Sequence, residues 1–229
     1  MFERLRSRWT EITRPLISRL GNTDPNLLTW SSLGISLVAF YLIASADLNS
    51  VGSWMIFGSI ALIGLAGALD ALDGDLARHQ GTDGPYGDFL DHTIDRVVDI
   101  GLIVAIGFNA DFGVGPSLGL GAALLTLLGS YMGTQAQSVG LGRIYGGFSR
   151  ADRMLVTLAG MLLAGLQAAG VADLSMEVNN GLLESLFFGL DEINGYGFAV
   201  VFSAWGGVYT FISRFRSASK MLKESVPES

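Results

Sequence analysis

Apolar residues in this chain of 229 residues are gathered into six blocks, each close to the length of a membrane span. A transmembrane helix needs about 20 predominantly apolar residues. Hydrophobic residues make up 50% of the chain and charged residues 15%, whereas soluble domains carry roughly 25% charged residues. The pattern predicts an all-α integral membrane protein with six transmembrane helices. The blocks cover residues 27–46, 54–72, 89–108, 116–136, 154–172 and 196–212.

The positions of the cations predict how these helices cross the membrane. All 14 Lys and Arg lie before the first block, around the connection of the second to the third, between the fourth and fifth, or after the sixth. With six spans these four places share one face, which the positive-inside rule identifies as cytoplasmic. We therefore expect a multi-pass protein of the cell membrane with both termini in the cytoplasm.

Net charge and amino-acid composition exclude several other classes of partner and of functional site. The net charge of -7 argues against nucleic acid as a partner, because binding phosphates needs clustered positive charge. The chain has no Cys, which excludes disulfides, thiolate nucleophiles and metals held by Cys. Its 2 His are too few for a metal cage built from His.

The residues before the first block predict an amphipathic helix. Apolar side chains recur there at steps of three and four with Arg between them, a stripe typical of a helix lying in the headgroup plane. We assign residues 1–21 to this interfacial helix, 22–216 to a six-span domain and 217–229 to a cytoplasmic tail. The cation-free segment 173–195 predicts a short amphipathic helix, to which we assign no chemistry.

Aspartates cluster where the second block ends and the third begins. On a helix, Asp70 and Asp73 are about 60° apart and Asp91 and Asp95 about 40°, so each pair shares a face. Two adjacent helices would direct these carboxylates at one point, where they repel one another unless cations are bound. Oxygen ligands suit Mg²⁺, Mn²⁺ or Ca²⁺, and such a metal at a membrane points to lipids that carry phosphate. Two alternatives are a solvated helix-end cluster and a proton or ion transporter.

A longer string contains these aspartates: Asp70-Ala-Leu-Asp73-Gly74-Asp-Leu-Ala77-Arg78, eight further residues, then Gly87-Asp-Phe-Leu-Asp91-His-Thr-Ile-Asp95. It resembles the signature of the CDP-alcohol phosphotransferases at every defined position. The segment Pro25-Asn26-Leu-Leu-Thr29 adds to the resemblance. The resemblance implies an enzyme of phospholipid biosynthesis that transfers a lipid phosphoryl group from CDP-diacylglycerol or CDP-archaeol to an alcohol and releases CMP. It also implies a homodimer with its active site on the cytoplasmic side.

The same resemblance implies the roles of the aspartates. The metal ligands would be Asp70, Asp73, Asp91 and Asp95, which would hold two Mg²⁺ or Mn²⁺ ions against the diphosphate. Asp95 would also be the catalytic general base that takes the proton of the acceptor hydroxyl. Asp75, Asp88 and Asp99 lie outside the signature and are expected to be solvated or structural. His92 and Arg96 flank the ligands and are expected to support them or to be structural.

Five residues would meet the nucleotide by the same resemblance. Gly74 and Gly87 would leave room for the backbone to approach it, and Arg78 would bind diphosphate oxygens with its two-pronged guanidinium. Asn26 and Thr29 would line the cytidine end. Each role has an alternative, because Asn26 can cap the first span, the glycines can serve packing, and Arg78 can be an ordinary cytoplasmic cation.

The sequence constrains the identity of the alcohol acceptor less than that of the donor. The stretch from Ser130 to Arg153 resembles the branch of phosphatidylinositol-phosphate and archaetidylinositol-phosphate synthases. That resemblance implies that Arg143, Arg150 and Arg153 bind the phosphate of a polyol phosphate such as inositol 1-phosphate. Glycerol 3-phosphate and serine are alternative acceptors, and the three arginines can also be ordinary cytoplasmic cations. An intramembrane prenyltransferase is a rival from another class, because it also uses paired aspartates with Mg²⁺.

Overall fold

The computed structural model describes residues 13, 15–144 and 146–224. Each of the six apolar blocks has most of its length on one of the six long helices of this part of the chain. The elements are α1 (Pro25–Ala44), α2 (Ser50–Gln80), α3 (Pro85–Gly107), α4 (Pro116–Ser138), α5 (Arg150–Ala168), β1 (Met176–Glu177), α6 (Gly181–Leu186), β2 (Glu192–Ile193) and α7 (Gly195–Glu224).

Four of the described helices, α1, α2, α4 and α7, are long and apolar enough to cross a membrane. The helices α3 and α5 are not among these four. Charged residues in the first half of α3 and in the first turn of α5 lower the hydropathy of both. The aspartate motif therefore lies at the junction of a strongly apolar helix, α2, and a more polar one, α3.

The described residues form two compact units. The first contains the residues up to Ala39 together with Ala61–Val98, and the second contains Phe40–Ile60 and the residues from Asp99 onward. The whole aspartate signature belongs to the first unit. The arginines expected to bind the acceptor belong to the second.

In the first unit, the chain just before α1 is fastened to α2. Residues 15–19 are helical, and Ile17 is buried in an apolar cluster with Leu72 of α2. The side-chain amide of Gln80 donates to the carbonyl of Thr23 at 2.8 Å. These contacts fix the entry to α1 against the end of α2. The rest of the predicted interfacial helix 1–21 lies largely outside the described residues.

In the second unit, α7 packs along α4 and α5, and glycines permit close approach of the helices. A Cβ at Gly207 of α7 would lie 2.6 Å from the carbonyl carbon of Leu125 in α4. A Cβ at Gly107 of α3 would lie 2.6 Å from the Cα of Gly119 in α4. Small residues allow such contacts between membrane helices, where packing replaces the hydrophobic driving force.

Asparagine side chains fasten the connections between helices of the second unit. The buried Asn109 donates its amide to the carbonyls of Ile43 at 2.7 Å and Ala46 at 2.8 Å. Asn194 accepts from two backbone N–H groups in the first turn of α7 and donates to the carbonyl of Phe112. Each asparagine thus satisfies backbone groups that a helix end leaves without partners.

Among the described residues, the two strands lie in the connection of α5 to α7, where the fold departs from all-α. Strands β1 and β2 form a two-residue antiparallel ladder that pairs Met176 with Ile193 and Glu177 with Glu192. Between them lies α6, where the sequence predicts a short amphipathic helix. Asn180 caps α6 by accepting from the backbone N–H of Leu182.

The contact of Gly107 with Gly119 generates a test of the packing. Replacing Gly119 by Ala places a Cβ 2.6 Å from the Cα of Gly107, whereas a Cβ at Gly121 in the same helix meets nothing within 4 Å. Both changes gain helix propensity, so their difference isolates the clash. We expect G119A to be less stable than G121A by about 1–3 kcal/mol, measured as unfolding in detergent. Equal stabilities would contradict the packing described here.

Candidate active site

The carboxylates of Asp70, Asp73 and Asp91 converge in the first unit. Each offers an oxygen within 4.8 Å of the other two. Opposite ligands of an octahedral Mg²⁺, at about 2.1 Å each, are about 4.2 Å apart, so small side-chain rotations would close these oxygens around an ion. Asp73 is buried and the other two are half-buried. The convergence that the helical spacing predicts is present, and these oxygens can hold a divalent cation.

Asp95 belongs to a second group that overlaps the first. Its carboxylate, that of Asp91 and a ring nitrogen of His92 also lie within 4.8 Å of one another. Nδ1 of His92 is 3.4 Å from a carboxylate oxygen of Asp91, and a guanidinium nitrogen of Arg96 is 4.0 Å from Asp95. The spacing predicts one cluster of four carboxylates, whereas the structure has two groups that share Asp91. It also adds His92, which lies outside the signature.

Thr29 contacts this cluster directly. Its hydroxyl donates a hydrogen bond to Oδ2 of Asp73, and both residues are buried. A donor to one oxygen of a carboxylate fixes the orientation of the group, as partners of metal ligands commonly do. The family resemblance implies a place for Thr29 at the cytidine and does not predict this contact. No spacing rule connects two residues that are 44 positions apart.

Arg78 lies over Gly74 at the end of the motif. A Cβ at Gly74 would be 3.4 Å from a guanidinium nitrogen of Arg78, and the guanidinium donates to Asp75 at 2.6 Å. Asp75 thus orients an arginine that is otherwise exposed. A Cβ at Gly87 would meet no protein atom within 4 Å, so packing does not require glycine there. The space beside Gly87 is open to a ligand.

The start of α1 is capped by Asp24, not by Asn26. A carboxylate oxygen of Asp24 accepts from both the backbone N–H and the side-chain amide of Asn26, each at 3.0 Å. The interpretation of Asn26 as the cap of the first span is therefore wrong. Asn26 follows the helix start, so its side-chain oxygen is not the acceptor that the cap requires.

In the second unit, Asp99 of α3 binds two of the predicted acceptor arginines. Its carboxylate accepts from Arg153 at 2.7 Å and from Arg150 at 3.3 Å. Arg153 also donates to the carbonyl of Phe148 at 3.1 Å. The side chains of Asp99 and Arg153 are only 4% and 8% exposed, whereas that of Arg150 is 32% exposed. Arg153 is thus engaged within the protein, and Arg150 keeps an open side.

A capping box sets the positions of these arginines. The Ser149 hydroxyl accepts from the backbone N–H of Asp152, and the Asp152 carboxylate accepts from the backbone N–H of Ser149 at 2.9 Å. The hydrogen bonds from Ser149 hold the pKa of Asp152 below its usual range. Ser-x-x-Asp before an apolar run is a readable start signal, so the sequence does contain this feature.

The remaining predicted acceptor residue, Arg143, is exposed in the connection of α4 to α5. Arg214 of α7 donates to the carbonyls of Gly129 at 2.9 Å and Gly146 at 3.3 Å. It thereby ties α7 to α4 and to the segment before α5. The second unit thus places Arg150 and Arg143 where a ligand can reach them and uses Arg153 and Arg214 in internal contacts.

Fold and site define a helical protein with membrane-type helices whose aspartate cluster can hold a divalent cation. The profile of the CDP-alcohol phosphatidyltransferase family matches residues 22–178, and the chain belongs to this family. It is therefore a membrane-embedded enzyme that uses a CDP-linked lipid as donor of the group transferred to an alcohol.

Similar proteins come from archaea and bacteria. The archaetidylinositol phosphate synthase of Methanothermobacter thermautotrophicus is 34% identical over 149 residues, covering 65% of this chain and 75% of that protein. The enzyme of the same name from Pyrococcus horikoshii is 30% identical over 219 residues, covering 93% and 95%. A crystal structure of Mycobacterium tuberculosis phosphatidylinositol phosphate synthase with CDP-DAG bound has a TM-score of 0.69 at 20% identity, covering 91% of this chain and 94% of that one. This last likeness shows a shared fold.

Removing the carboxylate of Asp99 tests the ion pair. Asp99→Ala leaves the buried guanidinium of Arg153 without its anionic partner, and breaking a buried pair in this way costs about 3–5 kcal/mol. Glu224→Ala is the control, because its pair with Lys220 is exposed and is worth about 0–1 kcal/mol. Unfolding in detergent should separate the two variants clearly. A D99A protein as stable as E224A would contradict the assignment.

Proposed function

We propose that this enzyme transfers the phosphoryl group of a CDP-linked lipid, together with the lipid, to a hydroxyl of inositol 1-phosphate. The convergent aspartates within the segment that matches the family carry the proposal. Relatives named archaetidylinositol phosphate synthases favour CDP-archaeol as the donor. CDP-diacylglycerol is the other donor to test, since CDP-DAG is bound in the similar M. tuberculosis protein.

The donor end of the site is formed by the signature residues. Asp70, Asp73, Asp91 and Asp95 would hold two divalent ions, Mg²⁺ or Mn²⁺, which would supply positive charge against the diphosphate and the leaving CMP. The Thr29 hydroxyl keeps the carboxylate of Asp73 oriented.

Further residues of the signature meet the nucleotide. The exposed guanidinium of Arg78, steadied by Asp75, binds diphosphate oxygens. The open space beside Gly87 admits the nucleotide. Asn26, at the start of α1, meets the cytidine end together with Thr29.

Asp95 is the general base. The O–H bond of the acceptor breaks as its proton moves to the Asp95 carboxylate. The acceptor oxygen forms a bond to the lipid-bearing phosphorus, and the bond from that phosphorus to the CMP oxygen breaks. Asp95 is buried, and a guanidinium nitrogen of Arg96 lies 4.0 Å from its carboxylate.

The acceptor phosphate is bound by Arg150 and Arg143. The side chain of Arg150 is 32% exposed beside its contact with Asp99, so a ligand can reach it from the exposed side. Arg143 is exposed. The guanidinium of Arg153 donates hydrogen bonds to Asp99 and to the carbonyl of Phe148. We therefore assign Arg153 the task of supporting Asp99, rather than the phosphate contact that the sequence suggests.

The membrane arrangement that fits this function has six spans, with the termini and the aspartate motif on the cytoplasmic face. The distribution of all 14 cations supports it. The interfacial helix 1–21, the domain 22–216 and the tail 217–229 complete the arrangement. A homodimer is proposed from the family alone.

Family membership decides between the classes that the residues left open. It favours a CDP-alcohol phosphotransferase over an intramembrane prenyltransferase or an ion transporter, neither of which would release CMP. Glycerol 3-phosphate and serine stay as alternative acceptors. Serine carries no phosphate, so dependence on Arg150 separates it from the two phosphorylated acceptors.

Release of CMP tests the reaction directly. Purified protein with Mn²⁺ or Mg²⁺, CDP-archaeol or CDP-diacylglycerol, and inositol 1-phosphate should release CMP and form a phosphodiester lipid. Asp95→Asn should lower the rate by about 10²-fold or more, because it removes the base and a metal ligand. The matched control is Asp88→Asn, an exposed position of the same helix outside the signature. Full activity in D95N, or no CMP with any acceptor, would overturn the proposal.

The assignment of the acceptor phosphate is tested at Arg150. Arg150→Ala should raise the KM for inositol 1-phosphate about tenfold or more, because a charge-assisted hydrogen bond is worth about 1.5–3 kcal/mol. The KM for the CDP-lipid should not change. Arg216→Ala, an exposed position of α7, is the control for loss of any cation. An unchanged acceptor KM in R150A would remove Arg150 from the acceptor site.

A further inference from the structure

The segment Asp173–Asn194, here called the α5–α7 connection, has most of its charges and most of its apolar side chains in different places. Four of its five acids lie toward its two ends, at Asp173, Glu177, Asp191 and Glu192, and the fifth, Glu184, lies in the middle. The middle contains Leu182, Leu183, Leu186, Phe187 and Phe188, and the segment has no Lys or Arg. The ladder of β1 with β2 holds the acidic ends together, since Glu177 pairs with Glu192.

The apolar middle is attached partway along α7. The indole N–H of Trp205 donates to the carbonyl of Leu186 at 2.9 Å, and the ring of Phe188 lies 5.3 Å from the ring of Trp205. Trp205 is ten residues beyond Gly195, where α7 begins, which is about 15 Å at 1.5 Å per residue. The connection therefore runs back along α7 instead of projecting away from its end.

This placement is held by defined contacts. Phe188 is the one non-glycine residue of the described chain with a positive φ, 56°, a strained conformation that persists where surrounding contacts impose it. Its ring contact with Trp205 is such a contact. Leu190 adds another, since its Cδ1 would lie 3.4 Å from a Cβ at Gly197 of α7.

The apolar side chains in the middle of this segment stay outside the protein core, whereas Val178 and Ile193 nearer its ends are buried. Leu182 is 69% exposed, and Leu183, Leu186 and Phe188 are exposed as well. The adjoining surface of α7 is also apolar and exposed, at Phe202, Trp205 and Tyr209. Because α7 is long and apolar enough to cross a membrane, the two surfaces form one continuous face of the kind that acyl chains cover.

We propose that residues 181–188 insert into the bilayer leaflet that surrounds the first half of α7. The leucines and Phe188 contact acyl chains, and Trp205, with one apolar face and one N–H donor, joins the segment to the span. With no cation to attract anionic headgroups, burial of apolar area drives the insertion. Glu184 lies about 200° around α6 from Leu182 and Leu186 and about 100° from Leu183, and we place it on the headgroup side of the inserted helix. The acidic ladder stays on the aqueous side.

A chain without Cys permits a test by single-cysteine labelling. Leu182→Cys, labelled with a nitroxide and reconstituted in phosphatidylcholine vesicles, should be more accessible to oxygen than to a water-soluble nickel chelate. Phe202→Cys on α7 is the lipid-facing reference, and Asp173→Cys is the aqueous reference. D173C should show the opposite order, with greater accessibility to the nickel chelate than to oxygen.

Three outcomes would overturn the proposal. The first is an L182C probe that behaves like D173C, which would place the segment in water. The second is low accessibility to both reagents, which would mean that protein, such as a second copy of the chain, covers it. The third is no change in L182C accessibility when Trp205→Phe removes the indole donor, because the segment should then shift toward the aqueous reagent. CMP release by each variant shows that the protein is folded.

Discussion

Repulsion between carboxylates is the constraint on which the rest of this structure depends. Asp70, Asp73 and Asp91 each bring an oxygen within 4.8 Å of the others, in a chain whose helices are largely apolar. Like charges at this separation destabilise the folded state unless a cation joins them. The fold must therefore hold the end of α2 and the start of α3 firmly enough to keep the carboxylates together. The contacts of Ile17 and Gln80 hold the end of α2 against the residues that precede α1.

The acids of helix α3 are compensated in two ways, by an external cation or by arginines of the protein. Asp91 and Asp95 are turned toward other acids and so create a place for an external cation. Asp99, four residues after Asp95, receives internal cations from Arg150 and Arg153. The first solution leaves charge available for chemistry, and the second neutralises it within the protein. The same helix thus contributes both to the proposed metal site and to the support of the proposed acceptor site.

How far the sequence predicts this structure depends on the distance along the chain over which each feature acts. Helical periodicity and apolar length locate the long helices, and a spacing of three or four residues brings Asp70 near Asp73. The contact of Thr29 with Asp73 and that of Asp99 with Arg153 join residues 44 and 54 positions apart. Only the packed helices bring such residues together, so local patterns do not reveal them. The wrong cap at Asn26 has a different cause, because Asp24 and Asn26 are both good capping residues and only the geometry shows which one accepts.

Net charge describes this protein poorly because its acids occupy different settings, three of which differ in how the charge is accommodated. Some acids converge where a divalent cation can bind, Asp99 is paired with two arginines, and Glu177 and Glu192 stand at the ladder of β1 with β2. Each setting lowers the cost of placing a carboxylate near a membrane by a different means, namely an external cation, an internal cation or contact with water. A single value of -7 cannot distinguish these means, whereas the position of each acid relative to the apolar helices does. The proposed chemistry follows from the first setting, because there several carboxylates converge where a divalent cation can bind.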